Sequence, residues 1–262
     1  MPQATVDGLR IEYSDSGPGG GLPIVCLTGW CSSRGRYDNL VPLAARSRRV
    51  LALDWRGHGG SQRSTRDFGT RDMASDVVAV VEAAELEEFA LVSASHSGWV
   101  AMEVRRRLGD RIPRIVHFDW LVVEPSEPYM AVIRRLRSEE TWQEARDTLF
   151  RIWRGGIEHP DVERAVAAMN EHGEEMWMRS GREIEDAFRE HESPLVAWTA
   201  LGSRPQILHV YGQPHDRVYL ERQMAFAREH DWFDVRPVRV QSHFTMIESP
   251  VDAVAIIEEF LT

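Results

Sequence analysis

The chain contains no lysine; all 31 of its basic residues are arginine. A Walker-type phosphate loop, a pyridoxal Schiff base and a lysine-dependent aldolase are therefore excluded, because each needs the primary amine. Cysteine is scarce. Cys26 and Cys31 are the only two, and no further cysteine or nearby histidine completes a zinc set. No apolar run approaches the roughly 18 residues of a membrane span, and the opening MPQATVDGLR has no apolar signal core. The expectation is a reduced, cytoplasmic protein. Acidic residues outnumber basic ones by 41 to 31, for a formal charge of −10. That field repels phosphate backbones and anionic lipid, so neither nucleic acid nor membrane is expected as a partner. The glycine-rich stretch Gly17-Pro18-Gly19-Gly20-Gly21 has no lysine and no helix after it, and reads as a turn.

What is present has the composition of an ordinary globular chain, with 43% hydrophobic and 27% charged residues. Leu9–Tyr13 alternates and reads as an edge strand. Ile24–Leu27, Val50–Leu53, Phe89–Val92 and Ile115–Phe118 are short continuous apolar runs, as buried parallel strands are. Met73–Ala84 and Gly98–Leu108 have helical spacing. From about 124 to 196 no strand is evident; Ser138–Arg154, Asp161–His172 and Glu174–His191 read as helices. Alternation resumes with Ile207–Tyr211, Tyr219–His230, Val235–Val240 and Val251–Leu261. The expected organisation is a doubly wound, mostly parallel α/β core formed by 1–123 and 197–262 and interrupted by a helical cap over 124–196.

The run Ser93-Ala94-Ser95-His96-Ser97-Gly98 lies between a strand and a helix, which is the setting of a nucleophile elbow. A serine-rich helix cap would produce similar letters, but three features elsewhere agree with the elbow. Asp54-Trp55-Arg56-Gly57-His58-Gly59-Gly60-Ser61 resembles the D-x-R-G-x-G-x-S loop of α/β-hydrolases. Leu27-Thr28-Gly29-Trp30 lies where such proteins build an oxyanion hole from backbone N–H groups, here those of Trp30 and His96. Ser242-His243-Phe244 follows a strand and precedes the last helix, where the histidine base of that fold belongs. An imidazole base needs an acid to fix its tautomer. Asp119 and Asp216 each follow a strand, and spacing leaves both open.

Ser95-His96 with Gly98-Trp99-Val100, Asp119-Trp120-Leu121, Glu175–Arg179, Arg182–Glu185, Ser193-Pro194-Leu195, Tyr211 with Gln213-Pro214, and His243-Phe244 together resemble the cofactor-independent 3-hydroxy-4(1H)-quinolone 2,4-dioxygenases, which have the α/β-hydrolase fold. The resemblance spans most of the chain, cap included. It implies His243 as base, Asp119 as its acid, Ser95 as a hydrogen-bonding group beside the substrate, oxyanion contacts from Trp30 and His96, and an aromatic wall at Trp153. This chain departs from the pattern at Ser97, where a glycine is expected, at Thr28, and in carrying Asp216 as a second acid.

The implied reaction needs no cofactor and no metal; its partners are a small aromatic substrate and dioxygen, and the protein is expected as a monomer or homodimer. His243 removes the 3-hydroxyl proton, and the electron-rich anion itself reduces dioxygen. Ring opening then releases carbon monoxide and leaves an N-acylanthranilate. Trp142, Trp153, Met169, Met176, Trp177 and Met178 are candidates for a dry wall, and Met-rich surfaces adapt to flexible chains. A 2-alkyl substituent is therefore expected, with degradation of the 2-heptyl quorum-sensing signal as the extreme case. The alternative is a serine esterase or carbon–carbon bond hydrolase using Ser95 and His243 with Asp119 or Asp216.

Overall fold

The computed structural model describes residues 1–262. In chain order its elements are β1 (Gln3–Val6), β2 (Leu9–Ser16), β3 (Ile24–Leu27), a 3-10 turn (Arg34–Tyr37), α1 (Val41–Ala44), β4 (Val50–Leu53), α2 (Thr70–Ala83), β5 (Ala90–Ala94), α3 (Ser97–Leu108) and β6 (Arg114–Phe118). Five helices follow without a strand: α4 (Glu127–Arg135), α5 (Trp142–Arg154), α6 (Pro160–Asn170), α7 (Glu174–His191) and α8 (Pro194–Thr199). Then come β7 (Gln206–Tyr211), α9 (Arg217–Glu229), β8 (Phe233–Pro237), α10 (Thr245–Glu248) and α11 (Pro250–Leu261).

The strands form one sheet in the order β1-β2-β4-β3-β5-β6-β7-β8. β3 to β8 run parallel, while β1 and β2 are antiparallel to their neighbours. β2 is thus not the edge that its alternation suggested. β1 pairs along its outer side, a hairpin through the positive-φ pair Asp7 and Gly8. Alternation in β2 reflects one face turned to solvent, which an inner strand near the sheet margin also has.

The continuous apolar runs of β3, β4 and β5 follow from burial on both faces. Val25, Leu27, Leu51, Leu53 and Leu91 join one hydrophobic cluster with α2, α3 and the helical block. Their neighbours Ile24, Cys26, Val50, Ala52 and Val92 join the other, closed by α1 and α11. Helix starts and stops match local chemistry: Ser126 and Ser193 cap α4 and α8 through their hydroxyls, and Gly155 ends α5 in the left-handed region. α5 begins at Trp142 rather than Ser138, because residues 138–141 form turns. No helix is long and apolar enough to cross a membrane.

The parallel strands end together on the side where α3 begins, and this carboxyl edge carries the functional loops, as in open α/β sheets generally.

Candidate active site

β5 stops at Ala94 and α3 starts at Ser97, so the chain reverses within two residues. Ser95 takes the cost of that turn at φ +54°, a conformation uncommon for a residue with a Cβ. Its N–H is pinned to the carbonyl of Phe118 at 2.7 Å. The serine in place of the usual glycine has its own task. Ser97 Oγ lies 2.8 Å from the Leu27 carbonyl and accepts the Ala94 N–H at 2.9 Å, tying the elbow to the end of β3. Gly98 cannot be replaced as easily, since a Cβ there would collide with the Trp120 ring.

His243 Nε2 faces Ser95 Oγ at 3.2 Å. The loop bearing it is held from the cap side. The His243 N–H donates to the Trp153 carbonyl at 2.7 Å, and the Trp153 indole lies against the imidazole with centroids 5.3 Å apart and planes 18° from parallel. Gly155, two residues on at φ +64°, permits this approach, because a Cβ would strike the carbonyl of Gln241. Burial pushes the His243 imidazole down to about 3, with the Arg36 charge acting in the same direction. The ring is therefore neutral at ordinary pH, with Nε2 turned toward Ser95 Oγ.

Asp119 follows β6 at φ +50° and is 1% exposed. Its Oδ1 accepts from Gly212 N–H at 3.0 Å and from Thr245 Oγ1 at 2.8 Å, and its Oδ2 accepts from Thr245 N–H at 3.0 Å. Burial pushes its carboxyl above the usual carboxylate range, while these hydrogen bonds and the Arg36 charge work to lower it. No hydrogen bond joins Asp119 to the His243 ring. The acid holds the backbone two residues beyond the histidine instead. Asp216, the other acid left open by spacing, is exposed and caps α9 by accepting the Val218 N–H at 2.8 Å.

Backbone N–H groups of Trp30 and His96 donate to no acceptor within the protein. Both residues line the same cavity as Ser95. Trp30 is kept in place from behind. Cys31, at φ +56°, donates its N–H to His58 Nε2 at 3.2 Å, and His58 Nδ1 lies 3.1 Å from the Arg56 carbonyl. Nδ1 thus carries the proton and Nε2 accepts. The Asp54–Ser61 loop, through His58, therefore supports the Leu27–Trp30 segment.

A cavity of about 560 Å³ opens over these groups. It is lined by Trp30, Ser95, His96, Asp119, Trp153 and His243, so all six sequence-derived site residues meet there, with Asp216 at the same cavity. Of the six expected wall residues, Trp153, Met169 and Trp177 line it, whereas Trp142, Met176 and Met178 pack elsewhere. Ile152 is 52% exposed and stands with Val218 on the cavity wall. Two participants escaped the sequence reading. Thr245 engages Asp119 through both N–H and hydroxyl, and Arg36 lies buried beside His243. The letters around them carry no signal; only tertiary contact identifies them.

Residues 24–256 match the model of the alpha/beta hydrolase family. The chain is 34% identical to a 1H-3-hydroxy-4-oxoquinoline 2,4-dioxygenase of Pseudomonas putida over 100% of this chain and 99% of that one. It is 32% identical to a 2-heptyl-3-hydroxy-4(1H)-quinolone dioxygenase of Mycobacteroides abscessus over 96% and 94% respectively. A solved structure of an AqdC variant with its substrate, addressing recognition and ring-cleavage of the Pseudomonas quinolone signal, superposes with a TM-score of 0.95 at 32% identity, covering 99% of this chain and 98% of that one.

Proposed function

The chain belongs to the 3-hydroxy-4(1H)-quinolone 2,4-dioxygenase family of the α/β-hydrolase fold, and from that premise we propose that it cleaves the ring of 2-alkyl-3-hydroxy-4(1H)-quinolones without a cofactor, releasing carbon monoxide and an N-acylanthranilate. The observation that carries this reading is a neutral imidazole, His243, whose Nε2 meets Ser95 Oγ at 3.2 Å in a largely apolar cavity.

His243 Nε2 takes the 3-hydroxyl proton, and the oxygen keeps the bonding pair. An imidazole depressed by burial is a weak base in the resting site. The anion formed beside it, and the buried Asp119 carboxylate, make the imidazolium tolerable. The substrate anion passes one electron to dioxygen. Superoxide and substrate radical recombine at C2, and the terminal peroxide oxygen attacks C4. Collapse of the bicyclic peroxide breaks O–O, C2–C3 and C3–C4; C3 leaves as carbon monoxide, and the two oxygens remain at C2 and C4. The imidazolium proton returns to product or solvent. Trp30 and His96 N–H groups and Ser95 Oγ hold the developing negative oxygens. Cap side chains exclude water, which would stabilise the anion and weaken it as a reductant.

The partners required are a quinolone and dioxygen, and either a monomer or a homodimer in the cytoplasm serves. Purified protein mixed with 3-hydroxy-2-alkyl-4(1H)-quinolone in an oxygen electrode should consume one dioxygen per substrate and release one carbon monoxide. Absence of uptake across a range of 2-alkyl chains overturns the reading.

The Ser95–His243 contact also fits a serine hydrolase, which is the second reading. Ser95→Ala separates them: an esterase would lose nearly all activity, whereas ring cleavage should fall by about tenfold, the worth of one hydrogen bond to a charged oxygen. His243→Ala should cost about 100-fold or more, as loss of a general base does.

A further inference from the structure

Arg36 is 6% exposed and sits in the turn Arg34–Tyr37 that follows the oxyanion loop. A guanidinium has five N–H donors in a fixed fork. In Arg36 one is spent: Nη2 donates to the His243 carbonyl at 3.1 Å. Nε is buried with no partner. The Cζ lies 4.8 Å from the centre of the Phe244 ring, next to the histidine in sequence. Arg36, Asp119 and His243 all line the same cavity. A buried cation bonded so sparsely is costly unless an anion shares its surroundings. The buried anion there is Asp119, whose own oxygens are taken by Gly212 and Thr245.

We infer that Arg36 is a positioning residue for the reaction: its guanidinium fixes the loop that presents His243, and its charge keeps Asp119 ionised beside the imidazole. The inference rests on the proposed ring cleavage, which needs His243 neutral and Asp119 charged at the start of each turnover. One cation serves both needs, since it disfavours protonation of either group. This agrees with the directions in which it acts on the two.

Few other charged or titratable groups face this cluster. Tyr37, from the same turn, donates its hydroxyl to the Leu27 carbonyl at 2.7 Å and stays neutral. His96 of the elbow is held neutral by burial. Glu248 of α10 is occupied by the N–H groups of Gln241 and Ser242. Glu124, His215, Asp216 and Arg222 stand at the cavity wall.

The test is the pH profile of kcat/KM for quinolone-dependent oxygen uptake in wild type, Arg36→Gln and Arg36→Lys. Arg36→Gln should move the acid limb up by about one pH unit or more, the effect of losing a nearby opposite charge. Arg36→Lys keeps the charge and should keep the limb near that of wild type. A merely structural residue would lower kcat in both variants without displacing the limb. Thermal unfolding of each variant accompanies the profile. Should Arg36→Gln not fold, Arg36→Met, which leaves no buried polar group, carries the same expectation. Coincident limbs in wild type and the charge-free variant, or equal displacement by lysine, overturn the inference. Absence of oxygen uptake by wild type instead overturns the proposed function.

Discussion

The imidazole of His243 lies flat on the indole of Trp153, a residue of the cap, while its backbone N–H is bonded to the carbonyl of that same tryptophan. The proposed base, His243, is thus held by the helical block above it. An aromatic contact of this kind is worth about 1 kcal/mol beyond its buried area, and a base displaced by a fraction of an ångström transfers protons poorly. Trp153→Ala should lower kcat by about tenfold or more, and Trp153→Phe should recover most of the loss. Steady-state oxygen uptake checks this; an alanine variant with unchanged kcat would show that the cap does not position the base.

Asp119 and Asp216 stand in different physical situations although both follow a strand. One is 1% exposed with three hydrogen bonds into the Gly212 and Thr245 backbone and side chain; the other is exposed and caps a helix. Asp119→Asn should reduce kcat/KM by about tenfold or more, because the imidazolium loses its buried counter-charge. It should also cost about 1–3 kcal/mol of stability, since an amide nitrogen cannot accept the N–H and hydroxyl bonds. Asp216→Asn retains a capping oxygen and should stay within about twofold of wild type on both measures. Reversed effects would reassign the acid.

Burial holds His58, His96 and His243 at about 3 and His209 at about 4, and depresses His117 well below its usual range. Each is depressed from an ordinary value near 6.5. These groups are neutral in the folded protein and protonate readily in the unfolded chain. Their contribution is complete above about pH 6.5 and is lost as pH falls toward the folded values. Between pH 6.5 and 5 each fully buried imidazole forfeits up to about 2 kcal/mol. Burial raises Asp76 to about 6 and also raises Asp119, and these two run the opposite way, losing stability as pH rises. The imidazoles outnumber them, so the urea midpoint should hold level above about pH 6.5 and fall from there to pH 5. A flat midpoint over that interval would contradict the burial of these rings as neutral species.

Much of this architecture is legible from pattern alone. The apolar runs of β3 to β7 announce themselves because both faces are buried, and Glu174–His191 is helical over the same residues in the structure. What pattern misses is what depends on a partner distant in sequence. β1 has no periodicity of its own and becomes a strand by pairing with β2. Ile152 satisfies a helical stripe yet faces outward, because the cap leaves an opening there. Ser97 looks like a defect in the elbow until its hydroxyl is found bonded to β3, 70 residues away. Asp119 and Asp216, alike in following a strand, differ in burial, which chain order does not encode.

Substrate length follows from the cavity. About 560 Å³ falls within the size range of drug-sized ligand sites, and the cap contributes Leu136, Leu149, Met169, Ile184 and Phe188 to its wall. Each methylene moved from water to such a wall gains about 0.8 kcal/mol, roughly fourfold in kcat/KM where that contact persists into the transition state. Activity should therefore rise from 2-methyl toward longer 2-alkyl quinolones until the tail meets the opening beside Ile152 and Val218, and then level off. Leu149→Trp, which fills part of that wall, should lower kcat/KM for a 2-heptyl substrate by about tenfold or more while leaving the 2-methyl compound within about twofold. A chain-length series with no slope, or equal losses for both compounds in the variant, would place the tail in solvent rather than against the cap.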